Sequence, residues 1–268
     1  MRATVCIVAS AIVLAGCSST SPFKPLRDPV KLTIGVPVDL PGVGMKTDKG
    51  LHTGFDVEVA RYIAARLGAA PDGITFKGVE NRAAAATMIA DGAVDFVVAN
   101  VPMTSNNKNL DFAGPYFVAG ETFLVRTDNY DIVVPDALDN KQVCAVKGTT
   151  TAQDVIKRFD EPATTVEENS LQDCVLALRK GEVDAVVGDN LILAGFAAEA
   201  PNEVKVVSQP FTETPYGVAL KKDDKALRAK ISAAIEKMIS DGSYNRIFDI
   251  TLGNSGVPVP KAPTVAPN

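Results

Sequence analysis

Apolar and polar positions switch between two periods along most of this chain, and each switch marks an element. VKLTIGVPV, residues 30–38, carries the β-branched pattern of a strand, and GFDVEVARYIAARLGA, residues 54–69, carries apolar positions at helical spacing. ITFKGVE then predicts a strand, AAAATMIADG a helix, VDFVVAN a buried strand and ETFLVRTD a further strand. A second cycle follows, with KQVCAVKG as strand, TTAQDVIKRF as helix, TTVEEN as strand, LQDCVLALRKGE as helix, VDAVVGDN as strand and LILAGFAAEA as helix. Two more strands, VKVVSQ and YGVALKK, lead to a helix over 224–240 and a shorter one over 244–248. Strands recurring between helices predict an α/β protein. MIADGAVDFVVAN and LRKGEVDAVVGDN share the order helix, Gly, Val-Asp and hydrophobic strand, which points to two similar lobes, although such units recur in any α/β sheet.

Both ends of the chain lack this pattern. The opening MRATVCIVASAIVLAGC has one basic residue, Arg2, an apolar stretch from Ala3 to Leu14, and small residues before a cysteine. It is too short to span a bilayer core of about 30 Å and reads as a signal peptide over residues 1–16. Leu14-Ala15-Gly16-Cys17 resembles the lipobox of bacterial lipoproteins, which implies cleavage before Cys17 and lipidation of its thiol. The alternatives are an ordinary cleaved signal or an N-terminal membrane helix. Residues 17–29, CSSTSPFKPLRDP, form an expected flexible tether, and residues 253–268, rich in Pro, an expected disordered tail. The body between them, over residues 30–252, is long enough for one large or two ordinary domains.

A formal net charge of -5 argues against nucleic acid as a partner. Of the 4 cysteines, Cys6 leaves with the signal and Cys17 is the lipid site, so Cys144 and Cys174 remain in an oxidising compartment. There they are expected to form a disulfide, against the alternative of two buried free thiols. Neither has a His or further Cys beside it, so neither a metal site nor a cofactor is expected.

Ligands of open α/β sheets sit beyond the carboxyl ends of strands. Asn100 to Thr104 and Gly188 to Asn190 lie at such ends, one in each half, as do Asp39 and the run from Lys147 to Thr151. A cleft between two lobes, lined by these four loops, is the expected site.

The GFDVEV segment at 54–59 with its helix resembles the signature of the family 3 extracellular solute-binding proteins, which serve ABC importers of polar amino acids. DFAGPY at 111–116, KGTT at 147–150, GEVDA at 181–185 and PYG at 215–217 extend the resemblance in the same order over nearly the whole body. Val143-Cys144, Asp173-Cys174 and GPYFVAG are most similar to actinobacterial glutamate-binding lipoproteins. The resemblance implies a two-lobed periplasmic-binding-protein-like fold (type II), with two hinge-crossing strands near 122–126 and 216–220. Lobe I would then comprise residues 30–126 with 216–252 returning to it, and lobe II residues 127–215. It further implies a monomer that closes on its ligand and docks on an ABC permease at the membrane.

Site roles carry over residue by residue. Asp189 matches the family aspartate that holds the ligand ammonium group; its alternative is an N-cap for the following helix. Thr150, next to Thr149 in a turn opening a helix, matches the residue that meets the α-carboxylate, or serves as a plain cap. Arg82 stands where acidic-amino-acid binders place an Arg, or is a solvent-exposed helix-start residue. The segment VPMTSNNKNLDF departs from the family: beyond Thr104 it offers Asn106 or Asn107 in place of the usual Arg, with Lys108 as the nearest cation. Lysine supplies a point charge where arginine supplies a planar fork. Pro102 replaces a common Ser, and Val38 and Val101 replace the usual aromatics, so the ligand need not be an ordinary α-amino acid. Asp39, Asn100, Thr104, Asn107 and Lys108 complete the expected lining, Asp39 either facing the cleft or bracing its loop.

The expected function is capture of a small polar amino acid, glutamate- or glutamine-like or a related anion or zwitterion, at the extracytoplasmic face of the membrane. A ligand sensor for a membrane signalling partner is a second reading. An enzyme like the cyclohexadienyl dehydratases is a third. It would need a positioned acid or base in the cleft, and no His or convincing carboxylate pair supplies one, so no catalytic residue is assigned.

Overall fold

A computed structural model describes residues 29–103, 109–132, 137–148, 163–207 and 209–267. Its strands, in chain order, are β1 (Val30–Val36), β2 (Asp39–Leu40), β3 (Gly44–Lys46), β4 (His52–Thr53), β5 (Ala69–Gly78), β6 (Phe96–Pro102), β7 (Leu110–Ala119), β8 (Glu121–Arg126), β9 (Gln142–Val146), β10 (Thr164–Glu168), β11 (Ala185–Asp189), β12 (Val204–Val207) and β13 (Thr214–Lys221). The helices are α1 (Phe55–Arg66), α2 (Arg82–Ala90), α3 (Leu171–Lys180), α4 (Asn190–Glu199), α5 (Lys225–Ser240) and α6 (Ser243–Leu252).

Two five-stranded sheets, ordered β5-β1-β6-β13-β7 and β10-β9-β11-β8-β12, form the two lobes of a mixed α/β fold. In each, the second strand pairs in parallel with both neighbours: β1 with β5 and β6, β9 with β10 and β11. The remaining strands run antiparallel. The repeated sequence unit has a structural counterpart here. MIADGAVDFVVAN is α2 leading into β6, LRKGEVDAVVGDN is α3 leading into β11, and the two strands hold the same place in their sheets.

The lobe junctions lie away from the expected positions. Residues 122–126 sit wholly in the second sheet, where Phe123, Leu124 and Val125 are fully buried between β11 and β12. Residues 216–220 sit wholly in the first sheet, between β6 and β7. The chain passes between sheets at Gly120 and again over 209–213, so the first sheet ends about six residues ahead of the expected boundary at Arg126. The apolar run in β8 therefore serves a sheet interior, whereas the crossings fall on the Gly and Pro that interrupt the pattern. The crossings are tied together: Glu121 N donates to Thr212 Oγ1 at 2.8 Å and Phe211 N to the Glu121 carbonyl at 2.9 Å.

β7 and the β2-β3-β4 meander are absent from the sequence reading. Gly114-Pro115 in the middle of β7 reads as a turn, but β7 is the edge strand of its sheet, where a missing N–H costs no ladder bond. The expectation of a disordered tail is also corrected. Gly253–Ser255 forms a 3-10 turn, and the chain then runs extended beside β7, with Ala266 N donating to the Gly114 carbonyl at 2.8 Å. Val257, Val259, Ala262 and Val265 pack on the core of the first lobe, so the prolines hold an extended strap and the small apolar residues between them anchor it.

The first core gathers α1, α5 and α6 on one face of the first sheet. Phe55 of α1 meets Tyr116, Phe117, Tyr244 and Phe248 with ring centroids 5.6–6.4 Å apart. In the second lobe Cys144 of β9 and Cys174 of α3 are joined at S–S 2.02 Å, so the free-thiol alternative is set aside. The bond closes a loop over a sequence separation of 30, and chain entropy alone gives it about 3–4 kcal/mol. The expected helix over 150–159 lies outside the described residues.

α4 belongs to both lobes. Leu191 and Ala194 are buried in the first core, whereas Leu193, Phe196 and Ala197 are buried in a core of the second. Its near-continuous apolar sequence, NLILAGFAAE, reflects burial on two faces. Gly195 meets the loop before β3 so closely that an added Cβ would stand 1.8 Å from the Pro41 carbonyl oxygen. Facing it, Gly42 has φ +66, and its Cβ would lie 2.9 Å from Gly195 Cα.

Candidate functional site

Two of the expected site residues are brought to one region by the fold. Asn100 lies at the carboxyl end of the buried run of β6, in the left-handed conformation with φ 44. Asp189 ends β11 and caps α4: its Oδ1 accepts from Leu191 N at 2.9 Å and Ile192 N at 3.3 Å. The capping role of Asp189 is thus present in the structure. Its Oδ2 accepts a hydrogen bond from the hydroxyl of Tyr216.

That last contact crosses between sheets, since Tyr216 sits on β13 opposite Pro102 of β6 and Phe117 of β7. Tyr216 is only 2% exposed. Behind it, Tyr116 and Asp56 are both fully buried. The Tyr116 hydroxyl donates to Asp56 Oδ1 at 3.0 Å, and the Asn100 backbone N–H donates to Asp56 Oδ2 at 3.0 Å, with the Tyr116 oxygen 3.1 Å away as its second acceptor. Burial pushes the Asp56 carboxyl up to about 7; the two donors counter this and the charge of Asp189 adds to it. Burial and the neighbouring Asp56 charge hold the Tyr116 phenol well above its ordinary value. Two polar groups thus flank the junction: Asp56, Tyr116 and the Asn100 N–H within the first lobe, and Tyr216 with Asp189 between the two sheets.

Asn190 fixes this junction from the other side. Its backbone N donates to the Gly120 carbonyl at 2.8 Å and its Oδ1 accepts from Gly120 N at 3.1 Å, so the residue next to Asp189 is pinned to the first crossing.

Other expected residues fare differently. Asp39 is exposed on β2, at the edge of the small meander. Arg82 is the first residue of α2, whose cap is Asn81, its side chain accepting from Ala84 N at 2.9 Å. Thr104, Asn107, Lys108, Thr149, Thr150 and Cys17 lie outside the described residues. Asp56, Tyr116, Tyr216 and the Gly42 and Gly195 pair were missed as site residues. The first two lie in segments read as packing or as family signature, and a glycine's neighbours across a lobe boundary leave no periodic signal.

A cavity of about 810 Å³ lies elsewhere among the described residues, on the flank of the crossings. The strap residues 256–261 form one wall, and Ala119, Thr122, Gln209 and Glu213 contribute to the others; none of Asp39, Asn100 or Asp189 lines it. Among the described residues no group of His, Cys, Asp and Glu could hold a metal ion, and no helix is long and apolar enough to cross a membrane.

Known proteins resemble this chain in sequence and in structure. An ABC transporter glutamine-binding protein of Bacillus subtilis, GlnH, is 34% identical over 225 residues, 83% of this chain and 81% of its own. The glutamate-binding protein GluB of Corynebacterium efficiens is 33% identical over 266 residues, 94% of this chain and 90% of its own. An ancestral arginine-binding protein solved with arginine superposes with a TM-score of 0.65 at 32% identity, covering 83% of this chain and 98% of that one. All three are named as binding proteins rather than enzymes. Residues 32–254 match the bacterial extracellular solute-binding proteins, family 3, and the chain is a member of that family.

Proposed function

We propose that the protein captures a small polar amino acid of the glutamate or glutamine class for an ABC importer, by closing its two lobes around the ligand. The observation that carries this reading is Asp189: a carboxylate at the carboxyl end of β11, oriented by two backbone N–H groups and joined to Tyr216 of the other lobe. An ammonium group reaching Asp189 gains a charge-assisted hydrogen bond at the lobe junction, so binding there favours the closed arrangement. The names of the relatives, glutamine-, glutamate- and arginine-binding, support an amino acid as the ligand, and the two sequence relatives favour the glutamate or glutamine class. On this reading Thr149 and Thr150 take the α-carboxylate, and Asn100, Thr104, Asn107 and Asp39 line the cleft. Arg82 and Lys108 are its available cations, in place of the arginine that the 101–108 segment lacks.

The test is a thermal-shift panel of L-glutamate, L-glutamine, L-arginine and L-cystine on the purified body. One acid at a hundredfold excess over its Kd is expected to raise stability by about 2.7 kcal/mol, seen as a shift of several degrees. A panel without any shift overturns the reading. The permease-docking role includes a lipid tether at Cys17. Cys17→Ser is expected to abolish incorporation of labelled fatty acid and release the protein to the medium; unchanged membrane retention would remove the tether from the account.

A further inference from the structure

Where β11 passes into α4, two neighbouring residues are each tied to one of the paths the chain takes between the sheets. Asn190 N donates to the Gly120 carbonyl at 2.8 Å and its Oδ1 accepts from Gly120 N at 3.1 Å, which fastens it to the first crossing. Asp189 Oδ2 accepts from the hydroxyl of Tyr216, on the strand β13 into which the second crossing, 209–213, leads. The crossings are joined in turn, with Phe211 N donating to the Glu121 carbonyl at 2.9 Å. The carboxylate at the end of β11 is thus bonded directly to the strand that returns the chain to the first sheet.

The two oxygens of Asp189 are held from different sides. Oδ1 accepts from Leu191 N and Ile192 N of α4, whereas Oδ2 accepts from Tyr216. The last torsion of an aspartate is broad and roughly two-fold, so a cap at one oxygen leaves the plane of the carboxyl group loosely set. A donor at the other oxygen sets it. Tyr216 is itself firmly placed: it is 2% exposed and pairs with Pro102 of β6 on one side and Phe117 of β7 on the other. The hydroxyl that reaches the second sheet is therefore carried by the interior of the first. A carboxylate oxygen has two acceptor directions, so a tyrosine hydroxyl and an ammonium N–H can share one oxygen.

We propose that Tyr216 is a positioning residue of the binding site: its hydroxyl holds the Asp189 carboxylate in the orientation that receives an ammonium-bearing solute, and ties that carboxylate to the first lobe while the solute is bound. The inference deepens the reading of Asp189 given under Proposed function and rests on it. The hydroxyl acts on Asp189, so its contribution to affinity passes through the carboxylate alone. Moving the lobes apart withdraws the donor from Oδ2, and a carboxylate engaged by the solute and by Tyr216 together favours the joined arrangement. Loss of the hydroxyl leaves the charge of Asp189 to attract the solute but removes the tie that retains it. The effect therefore falls on departure of the solute more than on its arrival.

Tyr216→Phe keeps the ring and removes the hydroxyl alone. Isothermal titration with L-glutamine, or with L-glutamate if the thermal panel selects it, is expected to show affinity about tenfold below wild type. Stopped-flow measurement should assign the loss to faster dissociation, with association changed less than about twofold. The melting temperature should fall by only a few degrees, because phenylalanine leaves no buried donor unpaired. A double-mutant cycle with Asp189→Asn separates action through the carboxylate from packing: in the Asp189→Asn background, Tyr216→Phe should change affinity by less than about twofold. Affinity equal to wild type in Tyr216→Phe overturns the inference. Tighter binding overturns it too, by showing that the hydroxyl competes with the ammonium group, and an equal loss in both backgrounds does so by showing that the residue acts through packing. The reading of Asp189 fails by a different result. If Asp189→Asn binds as tightly as wild type, the placement of the ligand falls and the role of Tyr216 falls with it. If Asp189→Asn loses affinity while Tyr216→Phe keeps it, only the role of Tyr216 fails.

Discussion

Asp189→Ala is expected to lower ligand affinity by at least a hundredfold, equivalent to about 3 kcal/mol, because the substitution removes the carboxylate proposed to hold the ammonium group. It has structural costs too. Leu191 N and Ile192 N lose their cap, worth about 1 kcal/mol. The Tyr216 hydroxyl, on a side chain 2% exposed, loses the acceptor on Asp189, a further cost of about 1–3 kcal/mol. The alanine variant alone would therefore confound recognition with folding. Asp189→Asn divides them: its amide oxygen can still cap α4, so melting should stay within a few degrees of wild type, while the missing charge still lowers affinity at least thirtyfold. Isothermal titration on both variants, alongside thermal melts, is the measurement. Wild-type affinity in Asp189→Asn would show that the residue is only a cap.

Gly195→Ala is expected to cost about 2–4 kcal/mol of stability and to weaken ligand binding about tenfold. A methyl at this position would sit 1.8 Å from the Pro41 carbonyl oxygen, inside any permitted contact, so α4 and the loop before β3 must separate. That separation is not local. α4 begins at Asp189, places Leu191 and Ala194 in the first core, and places Leu193, Phe196 and Ala197 in the second. Moving it disturbs both cores and withdraws Asp189 from Tyr216. Gly253→Ala is the control, since Gly253 has φ -57 and no atom within 4 Å of an added Cβ. It should be neutral or slightly stabilising through the unfolded chain. A Gly195→Ala protein melting within 1 °C of wild type would rule out the close approach of the two backbones.

These two residues mark what was and was not legible. Asp189 stands out in the sequence as a candidate because it follows an apolar strand and matches a family position, and both features are local. Gly195 is one small residue inside LILAGFAAEA, without a signal of its own. The helix was read correctly, but nothing along the chain says that its second face meets Pro41 and Gly42, residues more than 150 positions away. β7 was missed for a related reason: Gly114-Pro115 signals a turn in isolation, and only the sheet order puts the strand at an edge where proline is harmless. The strap failed in the opposite direction. Its proline-rich composition has no periodicity of its own, yet Val257, Val259, Ala262 and Val265 find a surface to pack on once β7 is formed.

Local pattern determined a good deal by itself. The alternation of strand and helix, the α/β class, the repeated helix-Gly-strand unit and the expected pairing of Cys144 with Cys174 follow from period, composition and elimination among few cysteines, whereas the two-lobed fold is what the resemblance to the family implies. Tertiary structure alone decided where the lobes join, that α4 serves two cores, that Asp56, Tyr116 and the Asn100 N–H are hydrogen-bonded together, and that Tyr216 reaches Asp189 across the junction. The physical reason is distance along the chain. Each of those contacts joins segments whose separate signals are ordinary, a helix start, a strand, a strand end, and the energy of the contact exists only after both sheets have formed and excluded water around them.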